Sequence, residues 1–336
     1  FMNHTLRPLH PWTPDISIVS SDNTCSINRA YLDELKNNAV VKSAYGRMFA
    51  YNVPITVNGQ EQQTDLISYE QQQFEWAKSY MLGGSLDMVQ NKLNTGLIVY
   101  EPQNTIQIGD TVTLNLNGQT VEIEIAGMLS DSPFYNSADV RTLICSEDTF
   151  RQLTGQSDYT VIDIQLTNRA ADAEVNTIHR TYGAGYSFVD KRMDNSSTLS
   201  IYYCVWLFLY GFLALIALIT VFNIINSIAM SVTARTKQYG AFRAIGLSDR
   251  QLSKMIIAEA AAYAIAGSIA GAVLGVICNK FLFDLLISRQ WGDPWLFPWG
   301  KLIVIVLIVL FSVVVAVHGP IKRIRNMSIV DTISAQ

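Results

Sequence analysis

Three apolar stretches, at about residues 201–230, 252–287 and 302–317, constrain this 336-residue chain more than any other feature. Crossing a bilayer takes about 20 predominantly apolar residues. A segment inside lipid must satisfy its own backbone hydrogen bonds, so each stretch is expected to be a helix. Three such runs within the last 136 residues, with charged breaks between them, argue against buried core helices of a water-soluble protein. Everything before residue 200 has an ordinary polar composition. The chain therefore reads as a globular part, 1–200, joined to a three-span membrane part, 201–336.

Charge divides the same way. Residues 1–200 carry 13 Lys and Arg against 23 Asp and Glu, whereas residues 201–336 carry 11 against 5. Lys and Arg collect in loops on the cytoplasmic side. The 231–254 loop holds Arg235, Lys237, Arg243, Arg250 and Lys254, and the tail after the third run holds Lys322, Arg323 and Arg325. The loop between the second and third runs has only Arg289 and Lys301 near its edges, with Trp291, Trp295 and Trp299 suited to a membrane–water boundary. The 231–254 loop and the C-terminus are thus expected in the cytoplasm of a cell membrane, with the acidic 1–200 domain outside. The chain begins at Phe1 without a signal-like region, so a further membrane helix is expected before it.

The outside domain reads as α+β. Asn-Gly at 58–59 and 117–118 predicts two hairpins; in the second, Val121, Ile123 and Ile125 would line one face. Val161–Leu166 is a further strand candidate. Helices are predicted over 27–38 opened by Ser26, over 147–154 capped by Ser146 and stopped by Gly155, and over 171–182. A division into two lobes is expected near Gly83–Gly84. Cys25 and Cys145 share the oxidising side, where a bridge between them is open. No phosphate-binding GxxxxGK[ST] loop, nucleophile elbow or HExxH pair occurs, so no catalytic, metal or cofactor site is expected. The histidines His4 and His10 read as solvated.

The membrane part is more specific. Gly267, Gly271 and Gly275 repeat every four residues and mark a helix-packing face, within the chain or between subunits. Glu259 would be costly against lipid and is expected to face cytoplasmic water or a neighbouring helix. Asn223 and Asn226 read as interhelical hydrogen-bonding groups. The stretch ARTKQYGAFRAIGLSDRQ between the first two runs reads as a helical extension, a stop at Gly246 and a new helix capped by Ser248 with Gln251. Tyr239 and Phe242 are expected to project where a cytosolic protein grips them. Lipid anchoring would explain the cations alone.

The pattern Arg-Thr-Lys-x-x-Gly-x-x-Arg-Ala-Ile-Gly from Arg235, the early Glu and glycine repeat after it, and the tail GPIKRIRNMSIVDTISAQ resemble the permease subunits of the FtsX/MacB-like ABC transporter superfamily. The segment GLIVYEPQNTIQIGDTVTLNLNGQTVEIEIAGML is similar to the strand-rich part of MacB-like periplasmic domains. The resemblance implies a non-enzymatic permease dimer, with itself or a paralogous permease, standing in lipid on a separate cytosolic ATPase that binds ATP and Mg²⁺. It implies mechanical transmission to the outside domain, to export or extract a peptide, lipid or antibiotic. Carried over, Gly240, Arg243, Ala244, Ile245 and Gly246 sit in the coupling element, with Arg235 opening the same pattern; Tyr239 and Phe242 are added on physical grounds. No nucleic-acid partner is expected. A non-transporting regulator of a cell-wall hydrolase and a membrane-anchored sensor remain alternatives.

Overall fold

The structure is a computed structural model that describes residues 8, 10–57, 59–102, 106–116, 118–132, 140–167 and 170–326. The chain divides into two compact units, Phe1–Tyr202 with Leu285–Pro294, and Tyr203–Asp284 with Trp295–Gln336.

In the first unit the elements run β1 (Ile16–Val19), α1 (Arg29–Lys36), β2 (Val41–Arg47), β3 (Phe49–Val57), β4 (Gln60–Tyr69), α2 (Gln71–Ala77), β5 (Met81–Gly84), α3 (Leu86–Asn91) and β6 (Thr95–Val99). They continue with β7 (Thr111–Leu116), β8 (Gln119–Leu129), β9 (Arg141–Ser146), α4 (Glu147–Thr154), β10 (Val161–Leu166), α5 (Asp172–Tyr182) and β11 (Ser187–Asp190). This is the α+β architecture expected. Alternation of apolar and polar residues works as predicted in β8, where Ile123 and Ile125 are fully buried and Val121 packs beside them. Asn58 and Asn117, the turn residues of the two predicted hairpins, lie outside the described residues, but the strands flanking each turn pair antiparallel.

The strands form two sheets. Four antiparallel strands in the order β11-β1-β10-β2 make one. The other has the order β5-β8-β6-β9-β4-β3-β7, and β7 also pairs with β8, so six of its seven strands close into a ring. Closure removes free edges. The pairs β4–β9 and β6–β8 are parallel. The whole seven-stranded lobe, residues 49–146, is inserted between β2 and β10 of the four-stranded one. This corrects the expected division near Gly83–Gly84, which instead end β5 within the inserted lobe. Glycines punctuate strands as well as domains, and here they let β5 run against the β8 backbone. The Gly84 Cα carries no Cβ because Ala126 O would lie 2.2 Å from it.

The helix predictions hold with small shifts. Ser146 caps α4 by accepting from the Thr149 amide, and Gly155 closes it with a hydrogen bond to Arg151 O. Asn28 rather than Ser26 opens α1, its side chain accepting from Ala30 N. Two ionic groups tie the elements together. Asp163 of β10, 1% exposed, accepts from Ser17 Oγ at 2.5 Å and is paired with Arg47 of β2. Glu147 holds Arg29 at 2.8 Å, pairs with Arg151, and accepts from Tyr159 Oη at 2.9 Å. Cys25 and Cys145 are both free thiols. Cys145 is fully buried in the ring lobe while Cys25 Sγ lies 3.2 Å from Thr160 Oγ1, so the bridge left open by the sequence is not made. His10 is not solvated: it is 7% exposed, set against the rings of Trp12 and Tyr80. His4 lies outside the described residues.

The membrane part contains α6 (Arg192–Ala234), α7 (Thr236–Ala244), α8 (Asp249–Phe283) and α9 (Trp299–Asn326). Three helical stretches, Arg192–Ala234, Arg250–Trp291 and Trp299–Gly319, are long and apolar enough to cross a membrane. The first begins some nine residues before the apolar run. Its opening turns are polar and tethered, Asn195 Nδ2 donating to Pro14 O at 2.9 Å.

Candidate functional site

The site is the elbow where α6, α7 and α8 meet. The α6 helix ends at Ala234, Arg235 breaks it, and α7 begins at Thr236. At the other end of α7, two backbone bonds replace the helical ladder: Gly246 N–H donates to Arg243 O at 3.1 Å and Leu247 N–H to Phe242 O at 3.0 Å. This paired arrangement places Gly246 in the left-handed region, at φ +102°. A Cβ there would meet nothing within 4 Å among the described residues, so the backbone conformation is what favours glycine. Ser248 then caps α8. Its Oγ accepts from Gln251 N at 3.4 Å, while Gln251 Oε1 accepts from Ser248 N at 3.0 Å, the reciprocal capping box expected from the sequence.

An apolar knot holds the elbow. Val232, Tyr239, Leu252, Ile256, Ala260 and Val313 are buried together, with Leu247 packed at the edge. Tyr239 is 2% exposed. The expectation that its ring projects to a cytosolic protein is therefore corrected: three apolar helix faces converge on it, and sequence spacing along one helix could not reveal them. Burial, and then the Glu259 carboxylate, push the Tyr239 phenol above its ordinary pKa, while Arg235 opposes them. Gly240 is buried beside it.

Opposite the knot the elbow is open. Ile245 is 80% exposed and Phe242 is 38% exposed. Ala244 and Gly246 are exposed around them, and Arg243 is half-buried. Lys237, Arg250 and Lys254 are solvent-exposed cations on the same elbow. Arg235 approaches Glu259 Oε1 at 2.6 Å, at an angle that makes an ion pair but not a hydrogen bond. The pair spans the break between α6 and α8, giving Glu259 the neighbouring-helix partner that its place in the span calls for. Arg323 and Arg325 have side chains outside the described residues, as does the tail from residue 327.

Above the elbow, a cavity of about 970 Å³ runs between the helices, lined among others by Asn223, Ser227, Gly267, Gly271, Gly275 and Val309. A Cβ built on Gly267, Gly271 or Gly275 meets nothing within 4 Å among the described residues. The glycine face thus borders this cavity, with no side chain of another helix against it among the described residues. Asn223 lines the cavity, whereas Asn226 is exposed outside it. Near the other end of α8, Trp295 Nε1 donates to Asn279 Oδ1 at 3.0 Å, and Lys280 Nζ lies 5.8 Å from the Trp295 ring. Among the described residues no group of three His, Cys, Asp or Glu side chains is placed to hold a metal ion.

Residues 210–329 match the model of the FtsX-like permease C-terminal family. Among solved structures, the chain is similar to the periplasmic region of MacB from Actinobacillus actinomycetemcomitans, at 10% identity and a TM-score of 0.41, over 54% of this chain and 91% of that one. It is also similar to the extracellular domain of the noncanonic ABC-type transporter YknZ from Gram-positive bacteria, at 15% identity and a TM-score of 0.37, over 52% of this chain and 97% of that one. No curated protein sequence matches it.

Proposed function

We propose, from the match of residues 210–329 to the model of the FtsX-like permease C-terminal family, that this chain is the permease subunit of an ATP-powered ABC system. The chain binds no nucleotide itself. A separate cytosolic ATPase, carrying ATP and Mg²⁺, docks on the elbow, and its cycle moves the membrane helices and through them the N-terminal α+β unit outside the cell membrane. The cargo class is a peptide, lipid or antibiotic, and the working form is a dimer in lipid.

The observation that carries this reading is the exposure of Phe242 and Ile245, inside the matched segment and on an elbow that also exposes Lys237, Arg250 and Lys254. Topology requires cations at such a place, but an aliphatic side chain four-fifths exposed in water is unfavourable and is relieved by a partner surface. The Gly246 cap and the Ser248 box make the elbow rigid, so force applied at Ile245 reaches α8 without being absorbed in a loop. The Arg235–Glu259 pair and the Tyr239 knot link it equally to α6.

The test is a mild-detergent purification of the full-length protein from its native membranes, with mass spectrometry of what accompanies it. A stoichiometric nucleotide-binding subunit, lost on Phe242→Asp and Arg243→Glu substitution, is the expected result. A preparation free of any ATPase would return the elbow to the role of a lipid-facing anchor.

A further inference from the structure

The segment Leu285–Pro294 joins α8 to α9, yet it is part of the same compact unit as the N-terminal sheets. Its path is fixed at Gly292. This residue has φ +74°, in the region that excludes most side chains. A Cβ there would lie 2.7 Å from Leu82 Cδ1 and 2.9 Å from Tyr100 Cδ2. The loop backbone therefore lies directly on a leucine of β5 and on the tyrosine that follows β6. Within the loop, Gly292 N donates to Ser288 O at 2.9 Å and Ser288 Oγ to Asp293 O at 2.7 Å, closing a tight turn around the contact. Burial, then the Asp131 charge and last the Asp293 charge raise the Tyr80 phenol above its ordinary pKa.

The receiving surface is stiff. Tyr80 packs its ring 4.5 Å from that of Trp12, and its carbonyl accepts from Ser130 N at 2.7 Å. Both Gly83 and Gly84 of β5 pair with β8 in the closed ring of strands. Gly292 also ends the short helix Arg289–Trp291 in the left-handed conformation, which favours glycine by itself; the approach of two side chains within 3 Å of its Cβ position is a separate observation. A glycine pressed this close to two side chains of a separate sheet indicates a built contact.

We infer that the α8–α9 loop is a second mechanical attachment of the N-terminal unit, with Gly292 as the positioning residue that lets it dock on Leu82 and Tyr100. The unit is then held at two places in the chain: through α6, which follows β11 directly, and through this loop. Displacement of α8 and α9 enters the inserted lobe at β6 of the closed ring and at β5, which pairs with β8 of that ring, without passing along α6. The transmission part rests on the permease reading; the docking itself does not.

The test uses the full-length protein in its native membranes, with its co-purifying subunits. In the Leu82→Cys/Asp293→Cys variant, which keeps Gly292, a short thiol-reactive cross-linker should yield a linked peptide pair. The control is Leu93→Cys/Asp293→Cys, with Leu93 51% exposed and placed before the far end of β6 from Tyr100. Because a short link needs the two thiols close together, linkage at 82/293 is expected to be at least about tenfold faster than in the control. Equal or absent linkage overturns the docking and leaves the permease reading untouched. Hydrogen exchange with and without ATP then tests transmission. Native protein should show a nucleotide response at Met81–Gly84 that Gly292→Val abolishes. A response of the same size in Gly292→Val, or cross-linking with no response in native protein, overturns the transmission.

Discussion

Ile245 and Tyr239 lie six residues apart on the same elbow and are predicted to fail in opposite ways when truncated. Burying a large aliphatic side chain gains about 1.5–3 kcal/mol. With 80% of Ile245 exposed, most of that gain is still available to a partner. Ile245→Ala should therefore weaken the docked ATPase by about 1–2.5 kcal/mol, or ~5–60-fold at 1.4 kcal/mol per tenfold. It should leave the melting temperature of the chain alone, because little among the described residues covers that side chain. Tyr239 is 2% exposed and has nothing left to offer. Its truncation opens a void in the knot and costs about 3–5 kcal/mol of stability, as aromatic-to-alanine changes do in packed cores. The assay is titration of the purified ATPase subunit onto the chain in nanodiscs, beside thermal melts of each variant. Affinity within twofold of native for Ile245→Ala would refute the argument. So would a Tyr239→Ala chain that melts normally yet binds worse than Ile245→Ala.

Two further outcomes test the N-terminal unit. Arg47→Met strands the buried Asp163 carboxylate with Ser17 as its remaining close partner, and should cost about 3–5 kcal/mol. For a unit of this size that corresponds to ~6–20 °C in melting temperature, and Arg47→Met/Asp163→Leu should regain much of it. Asp22 is held down to about 2 by the hydroxyls of Ser20 and Thr24 and the Thr24 amide. Its contribution is complete above the ordinary carboxylate value of 3.8 and is lost as pH falls from there towards about 2. Denaturant midpoints compared at pH 5 and pH 2.5 should therefore fall less for Asp22→Asn than for native protein.

What could be read from the sequence was local. The capping boxes and stops at Ser146, Gly155, Gly246 and Ser248 depend on residues a few places apart, and the structure has them. So does the strand Val161–Leu166, whose bounds were found by composition alone. The lobes were not legible. Ile16 pairs with Ile164 and with Asp190, and Thr64 with Arg141, at separations over which residue pattern carries no register. The parallel pairs β4–β9 and β6–β8 leave no turn signature, because parallel neighbours need long crossovers. At the elbow, the identities of the residues were legible and their orientation was not. Tyr239 lies on α7 and Ile245 caps its end, and only the faces of α6, α8 and α9 decide which is covered. The Gly292 contact was missed for a related reason: three nearby tryptophans marked the loop as a membrane boundary, and nothing in it pointed to Leu82.

The insertion of one lobe into the other sets an order of events during synthesis. Residues 49–146 form a contiguous segment whose strands can all find their partners among themselves. The four-stranded sheet is different, since β1 waits for β10 and for β11, at Ser187–Asp190. Closing so long a loop is entropically costly and slow unless its interior is already compact. The inserted ring is thus positioned to fold first and shorten that closure. The outer sheet then completes only as the chain reaches Arg192, where α6 begins, so its completion coincides with the emergence of the helix that follows it.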